Sequence, residues 1–377
     1  MKNILVLGGG MVGGAMAIDL ANTHHVTCAD RSEDALRKLS QKCPTIATSP
    51  LDVTDATAVG EALAAFELVV CAVPGFLGFR TLKQIIEAGK NVIDISFFPE
   101  DALALHGLAL EHGVTAIVDC GVAPGMANVI LGYHDTRLKI TDYECLVGGL
   151  PKERMWPFEY KAPFSPVDVI EEYTRPARYV ENGEMITMPP LTDLSSVEFD
   201  RVGTLESFNS DGLRTLCFTM PHIPNMKEKT LRYPGHADKI LMLQEAGFFN
   251  TNPVEVNGSR VTPLDFTSRI LFDDWKLGET EEELTVMRIT IKGRDAGGTE
   301  KVVISDLHDE YNRETHTSSM ARTTGYTATA AANLVLDGLF SEKGVIPPEK
   351  LGQAPGACDY MLRYLADRGV HYSTVEH

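Results

Sequence analysis

A glycine-rich turn, Gly8-Gly9-Gly10-Met11-Val12-Gly13, follows the apolar run Ile4-Leu5-Val6-Leu7 and opens a helix-forming stretch, Met11 to Asn22. No other feature constrains the chain as much. A run that apolar suits a strand buried on both faces, as in a parallel sheet covered by helices. The G-x-G-x-x-G spacing then gives each glycine a task. Gly8 makes the tight turn, Gly10 lets backbone approach a pyrophosphate, and Gly13 lets the helix pack on the strand. The helix start at Met11 and Val12 offers unpaired N–H groups and a positive dipole end to phosphates. Asp30 closes the second strand about 20 residues on, where a carboxylate holds ribose hydroxyls and repels a 2′-phosphate. NAD is therefore expected over NADP, with Arg31 as the counter-indication, because an arginine there can take a phosphate.

The first third keeps alternating. Strands are expected at His25 to Ala29, Thr45 to Ala47, Leu68 to Val73, Asn91 to Ile95 and Thr115 to Val118. Helices are expected from Met11, after a Ser32 cap, after an Asp55 cap, from Leu77 to Ala88 and from Glu100 to His112, the last two stopped by Gly89 and Gly113. Strict alternation of strand and helix predicts a doubly wound parallel sheet, the Rossmann arrangement. The turns Asp52-Val53, near an adenine, and Ala72-Val73-Pro74, near a nicotinamide ribose, should complete the cofactor site. For Asp52, plain turn chemistry is an equal alternative.

From about Asp142 the strands read as antiparallel, ending in the long pair Glu283 to Lys292 and Thr299 to Asp306 around Gly293–Gly298. The expected division is a dinucleotide domain at 1–123, an α+β substrate and dimerisation domain with a mixed, largely antiparallel sheet at 124–316, and a C-terminal segment at 317–377. The Ala- and Thr-rich helix Gly325 to Leu339 should return to the first domain. The chain has 34 Lys+Arg against 52 Asp+Glu, a net charge of -18. That balance argues against nucleic acid and against an anionic membrane surface, both of which need clustered cations. No run reaches the roughly 20 apolar residues of a membrane span. Seven scattered cysteines without a CxxC pair fit reduced thiols in a cytoplasmic protein, Cys120 among them as packing.

Several strings are recognisable: Cys71-Ala72-Val73-Pro74-Gly75-Phe76, Asp94-Ile95-Ser96-Phe97, Val122-Ala123-Pro124-Gly125-Met126-Ala127-Asn128, Val147-Gly148-Gly149-Leu150-Pro151, Asp211-Gly212-Leu213-Arg214, Thr230-Leu231-Arg232-Tyr233-Pro234-Gly235-His236 and Ser319-Met320-Ala321-Arg322-Thr323-Thr324-Gly325. In their order, from Met1 to about Gly352, the chain resembles the saccharopine dehydrogenase family. The string Glu171-Glu172-Tyr173-Thr174-Arg175-Pro176-Ala177-Arg178, with the Pro-Gly-His ending after Tyr233, is most similar to its L-lysine 6-dehydrogenase branch. The resemblance implies NAD-dependent oxidative deamination of the lysine ε-amine to 2-aminoadipate 6-semialdehyde, which cyclises. Saccharopine and carboxynorspermidine dehydrogenases are the alternatives within the family, and a non-catalytic dinucleotide sensor is a remote one. Where saccharopine reductases carry an acidic residue near the substrate, this chain has Ala123. Ser96 joins the cofactor-binding candidates.

An amino-acid substrate needs a cation for its carboxylate, and a guanidinium pairs bidentately. Arg232 is the first candidate, then Arg175 and Arg214. For the α-ammonium, Asp211, Glu172 and Asp168 are candidates, Asp168 serving equally well as a helix cap. Hydride loss requires a neutral amine, hence a base. His236 is nominated by its ordinary pKa, with a structural hydrogen bond as the alternative. Tyr160 and Lys161 are further candidates. No histidine or cysteine spacing points to a metal. A homodimer or higher oligomer is expected, with Glu283 to Asp306 as a possible dimer sheet.

Overall fold

The structure is a computed structural model and describes residues 1–164, 166–278 and 280–377. The chain begins β1 (Asn3–Leu7), α1 (Met11–Ala21), β2 (His25–Asp30), α2 (Glu33–Lys42), β3 (Ala47–Pro50), α3 (Ala56–Leu63), β4 (Leu68–Cys71), α4 (Gly75–Glu87), β5 (Asn91–Asp94), α5 (His106–Glu111), β6 (Thr115–Ile117) and α6 (Met126–Asp135). It continues β7 (Lys139–Pro151), α7 (Pro166–Thr174), β8 (Ala177–Glu181), β9 (Glu184–Met188), β10 (Ser195–Phe199), β11 (Gly203–Asn209), α8 (Leu216–Thr219), β12 (Asn225–Arg232), α9 (His236–Glu245), β13 (Val254–Val256), β14 (Ser259–Val261) and α10 (Pro263–Trp275). It ends β15 (Glu283–Arg294), β16 (Glu300–Glu310), α11 (Ser319–Leu336), β17 (Gly344–Ile346), α12 (Pro348–Gln353), α13 (Ala357–Ala366) and β18 (Tyr372–Glu376). Two compact units result: Met1–Thr141 with Ile291–Val303 and Met320–His377, and Asp142–Thr290 with Ile304–Ser319.

The first unit holds a seven-stranded sheet in the order β17-β6-β5-β4-β1-β2-β3, with every recorded pair parallel. β1 and β4 are adjacent although three helices separate them in sequence, so the strand order reverses there. That reversal opens the crevice above their C-terminal ends where such sheets bind ligands. Leu5, Leu7, Val69, Cys71, Val92 and Ala116 build one core below it. The caps work as expected: Ser32 Oγ accepts from Ala35 N and Asp55 accepts from Thr57 N and Ala58 N. β3 runs Ala47–Pro50, two residues later than the expected Thr45 to Ala47, because Pro44 and Thr45 form a turn. The unit extends past Ala123, the expected boundary, to Thr141. Its cause is α6, which lies so close to α12 that a Cβ on Gly132 would meet Glu349 O at 2.0 Å and one on Gly352 would meet Val129 O at 2.1 Å.

α11 starts at Ser319, six residues before the expected Gly325. It lies against α1, where a Cβ on Gly325 would stand 3.1 Å from Met16 Cγ. A buried polar network fixes α1 from the C-terminal side. Asp19 accepts from Thr329 Oγ1 at 2.6 Å, Tyr364 Oη at 2.7 Å and Arg368 Nε at 2.6 Å. β17, the outer strand of the parallel sheet, comes from this segment and is only three residues long. Nothing in its sequence marks it as a strand.

A mixed sheet follows the order β10-β11-β12-β7-β15-β16-β18, with β8 attached to β12 and β9 to β8; most of its strands belong to the second unit, while β18 belongs to the first. β12 pairs antiparallel with β11 but parallel with β7, so the sheet is mixed, as expected for this region. β15 and β16 lie inside this sheet, and β18 pairs beyond β16. The outer edge of that hairpin, proposed from sequence as a dimer sheet, is thus partly taken by the chain's own last strand. Two cores serve the unit. One is aromatic, around Tyr160, Tyr173, Phe208 and Trp275. The other is aliphatic, around Leu146, Leu205, Leu231 and Val286. Among the described residues no helix is long and apolar enough to cross a membrane.

Candidate functional site

The glycine loop of the first unit is fixed by its neighbours. Gly8 has φ +102°, and a Cβ there would meet Ala72 O at 2.5 Å. A Cβ on Gly13 would meet Gly8 O at 1.9 Å, so α1 can seat on the loop only without one. A Cβ on Gly10 would meet nothing within 4 Å. Its side of the loop is open, the space a pyrophosphate requires. α1 begins at Met11 with no side-chain cap on its first N–H groups. Unclaimed amides at an open helix start fit a phosphate without any lysine or arginine.

Asp30 faces the same loop. Its Oδ2 accepts from Gly9 N at 2.6 Å and its Oδ1 from Ser32 N at 2.7 Å. The carboxylate is therefore held in one orientation at the end of β2. Arg31 and Asp52 are exposed. Asp52 accepts from Thr54 N at 2.9 Å and Thr54 Oγ1 at 2.8 Å, which makes the turn after β3 and lowers its pKa. Val53 packs against the core beside it. Ala72 N bonds to Leu7 O, and Val73 is buried. Pro74 precedes α4. Ser96, a cofactor candidate, is buried, and its hydroxyl and amide turn inward. Ser96 N donates to Asp94 Oδ1 at 2.9 Å and Ser96 Oγ to Asp94 Oδ2 at 3.2 Å.

In the second unit two sequence strings meet. Glu172 and Tyr173 of α7 and His236 of α9 surround Arg232 at the end of β12. Arg232 Nε donates to Tyr173 Oη at 3.0 Å, its Nη1 to Leu231 O at 2.9 Å and its Nη2 to Glu172 Oε2 at 2.7 Å. The guanidinium is 3% exposed and also lies over the Tyr160 ring, 4.5 Å from its centroid. Partial burial pushes the Glu172 carboxyl up, and Arg232 works against it.

His236 sits in this cluster with both ring nitrogens engaged. Nδ1 faces Phe158 O at 2.9 Å, and a carbonyl only accepts, so Nδ1 carries the hydrogen. Nε2 then accepts from Tyr173 Oη at 2.9 Å. The result is a directional chain, Arg232 to Tyr173 to His236 to Phe158. Burial, reinforced by Arg232, pushes the His236 pKa down to about 3, and the ring is neutral. This corrects the nomination of His236 as base: its one lone pair is already bonded and it is 1% exposed. Tyr160 is buried too, and burial drives its pKa well above the ordinary phenol value. Lys161 Nζ donates to Asp274 O at 2.7 Å.

The other candidates divide. Asp211 takes Arg178 bidentately, Nε to Oδ1 at 2.7 Å and Nη2 to Oδ2 at 2.9 Å. That pairing gives Asp211 a fixed cationic partner. Arg175 pairs with Glu171 one turn away and lines a groove of about 570 Å³ between α7 and α10, with Ile170, Leu264 and Phe272. Arg214 is buried with φ 52°, and Asp168 lies in the first turn of α7. Sequence reasoning missed Trp275, the hub of the cluster, whose ring lies 5.4 Å from Tyr160, 5.5 Å from Phe158 and 6.0 Å from Tyr173. A tryptophan ending an amphipathic helix gives no local sign of which loop covers it. It also missed Tyr173 as the link between Arg232 and His236. All seven cysteines are unbridged. Among the described residues no group of three His, Cys, Asp or Glu is arranged to hold a metal ion.

Comparison with known proteins covers both units. A family model for the saccharopine dehydrogenase NADP binding domain matches residues 4–117, and one for the saccharopine dehydrogenase C-terminal domain matches residues 121–370. The carboxyaminopropylagmatine dehydrogenase of Synechocystis sp. is 22% identical over 381 residues, 94% of each chain. The NADP(+), L-glutamate-forming saccharopine dehydrogenase of Pyricularia oryzae is 23% identical over 421 residues, 92% of this chain and 93% of that one. Among solved structures, apo saccharopine dehydrogenase (L-Glu forming) from Saccharomyces cerevisiae superposes with a TM-score of 0.80 at 22% identity, covering 100% of both chains. At that identity the superposition speaks for the fold.

Proposed function

Because the chain belongs to the saccharopine dehydrogenase family, we propose that it oxidises the ε-amine of L-lysine with NAD to an imine, giving NADH and a proton, and that water hydrolyses the imine to ammonia and 2-aminoadipate 6-semialdehyde, which cyclises with loss of water to piperideine-6-carboxylate. The observation that carries this reading is the Arg232 cluster. The two strings that set the lysine branch apart, one around Glu172-Tyr173 and one ending in Pro234-Gly235-His236, are hydrogen-bonded to each other through Arg232 and Tyr173. They act as one unit of structure, as residues that share a substrate would.

The glycine loop, the start of α1, Asp30, Asp52-Val53 and Ala72-Val73-Pro74 would hold the dinucleotide. When bound, it supplies the acceptor for a hydride from the substrate's amine-bearing carbon. The Asp30 carboxylate, locked by Gly9 and Ser32, supports NAD over NADP, since a 2′-phosphate would meet a fixed negative charge. For the α-carboxylate Arg232 stands ahead of Arg175 and Arg214. It uses three of its five N–H groups on Tyr173, Leu231 and Glu172.

Of the three nominated bases, His236 and Tyr160 are buried and Lys161 already donates to Asp274 O. The lysine ε-amine, with an ordinary pKa of about 10.4, must then arrive already neutral. Turnover at low lysine should rise with pH by about tenfold per pH step toward 10 and level off above it. The direct test is absorbance at 340 nm with lysine and NAD at alkaline pH. NADH formation without a keto acid supports the reading, and none across that range refutes it. A second reading, joining an amine and an aldehyde by reduction, is favoured by the two relatives named as saccharopine and carboxyaminopropylagmatine dehydrogenases. Its signature is NAD(P)H consumption only when both an aldehyde and an amine are present.

A further inference from the structure

Asp94, Asp119, Cys71 and Cys120 form an acidic and thiol cluster at the C-terminal ends of β4, β5 and β6, and no step above uses it. Asp94 ends β5 and is fully buried. Its carboxylate holds Ser96 through both N and Oγ, and Ser96 Oγ lies 3.8 Å from Cys71 Sγ at the end of β4. Cys120 N donates to Asp94 O at 3.0 Å, which ties the segment after β6 to the same strand end. Asp119 just before it is 3% exposed and has φ 49°, in the left-handed region that Asp and Asn adopt more readily than other non-glycine residues. The groups facing Asp94 are thus Cys71 from β4, Asp119 and Cys120 from beyond β6, and Ser96 on its own turn. None is cationic. α4 closes the turn from above, since a Cβ on Gly78 would stand 2.6 Å from Ser96 Cβ.

In a doubly wound sheet the two halves of the strand order take the two halves of a dinucleotide. Here β1, β2 and β3 carry Gly8–Gly13 and Asp30, the adenosine side. β4, β5 and β6 are left for the nicotinamide side. We propose that Asp94 is a positioning residue of the cofactor site whose carboxylate form selects the oxidised, cationic nicotinamide, so that oxidised cofactor binding and loss of the Asp94 proton are linked. The linkage is reciprocal: a cation bound near the carboxyl favours its ionised form, and the ionised form favours the cation. The sign follows. Burial, with Asp119 adding to it and the Ser96 bonds opposing, pushes the Asp94 pKa up to about 7, so the charge is gained as pH rises through neutrality. The reduced ring is uncharged and gains nothing.

The inference rests on the dinucleotide reading of the first unit and not on the choice of amine, so it is tested by binding alone, with no substrate. Titrate the full-length protein with NAD+ and with NADH, or with the phosphorylated pair if that binds more tightly, from pH 6 to 8. A tenfold preference of the carboxylate form gives about fivefold tightening of the oxidised cofactor over that range, with the reduced cofactor flat within about twofold. Asp94→Asn keeps an acceptor for Ser96 N and should bind both cofactors without pH dependence. Asp119→Asn tolerates the positive φ and removes the neighbouring charge, so the midpoint should move to lower pH while the linkage stays. Equal pH trends for the two redox forms, an unchanged trend in Asp94→Asn, or an unmoved midpoint in Asp119→Asn would each overturn the proposal. The last holds even where Asp94→Asn does not fold. Absence of lysine turnover leaves this outcome untouched.

Discussion

Arg232 is held by groups that each need it. Glu172 and Tyr173 point buried or half-buried oxygens at its guanidinium, and Tyr160 offers a ring face. Removing one partner of such a pair strands the other. Arg232→Met is expected to destabilise the protein by about 3–5 kcal/mol in urea unfolding. Arg232→Met with Glu172→Met should recover most of that loss, because the stranded carboxylate goes too. Equal losses in the single and double variants would mean the pair is not coupled. Residue types were readable from sequence here and roles were not. His236 stood out in its motif as a histidine that could act as a base. What made it a structural link was Phe158 O on one side and Tyr173 on the other, 78 and 63 positions away. Asp211 likewise read as a partner for the substrate's α-ammonium, and the structure places Arg178 against it.

At the scale of elements, the glycine loop and α1 form the most demanding contact in the first unit. A Cβ at Gly13 would overlap Gly8 O. Gly13→Ala should therefore push α1 off the loop and raise the dissociation constant for the dinucleotide at least about tenfold. The far-UV spectrum should stay close to native, since the helix itself loses nothing by an alanine. Unchanged affinity would show that the loop does not hold the cofactor. Local chemistry made these elements legible: buried runs alternated with capped amphipathic stretches, and Ser32 and Asp55 cap as their positions suggest. Pairing was the harder part. The parallel register of β12 on β7 and the placing of β17 beside β6 join strands more than 70 and 200 positions apart. No local period records such partners.

The whole molecule carries a charge of -18 yet is read as binding two anions, a dinucleotide and an amino-acid carboxylate. The glycine-rich helix start and a few engaged arginines provide local attraction inside a repulsive field. That field is screened by salt, with a Debye length of about 30 Å at 0.01 M and about 8 Å at 0.15 M. Raising ionic strength between those values should lower the KM for NAD by about two- to threefold, the reverse of what a basic site would show. A KM that rises with salt would place a cationic patch at the cofactor site that the sequence balance does not suggest. The claim on which the account turns is the oxidation of a free amine by this chain. It is tested most directly by following absorbance at 340 nm in a mixture of the purified protein, NAD+ and L-lysine as pH is raised toward 10. The account predicts NADH formation that needs no aldehyde or keto acid and grows with the neutral fraction of the amine. A flat trace with lysine, together with NAD(P)H consumption when an aldehyde and an amine are supplied together, would contradict it.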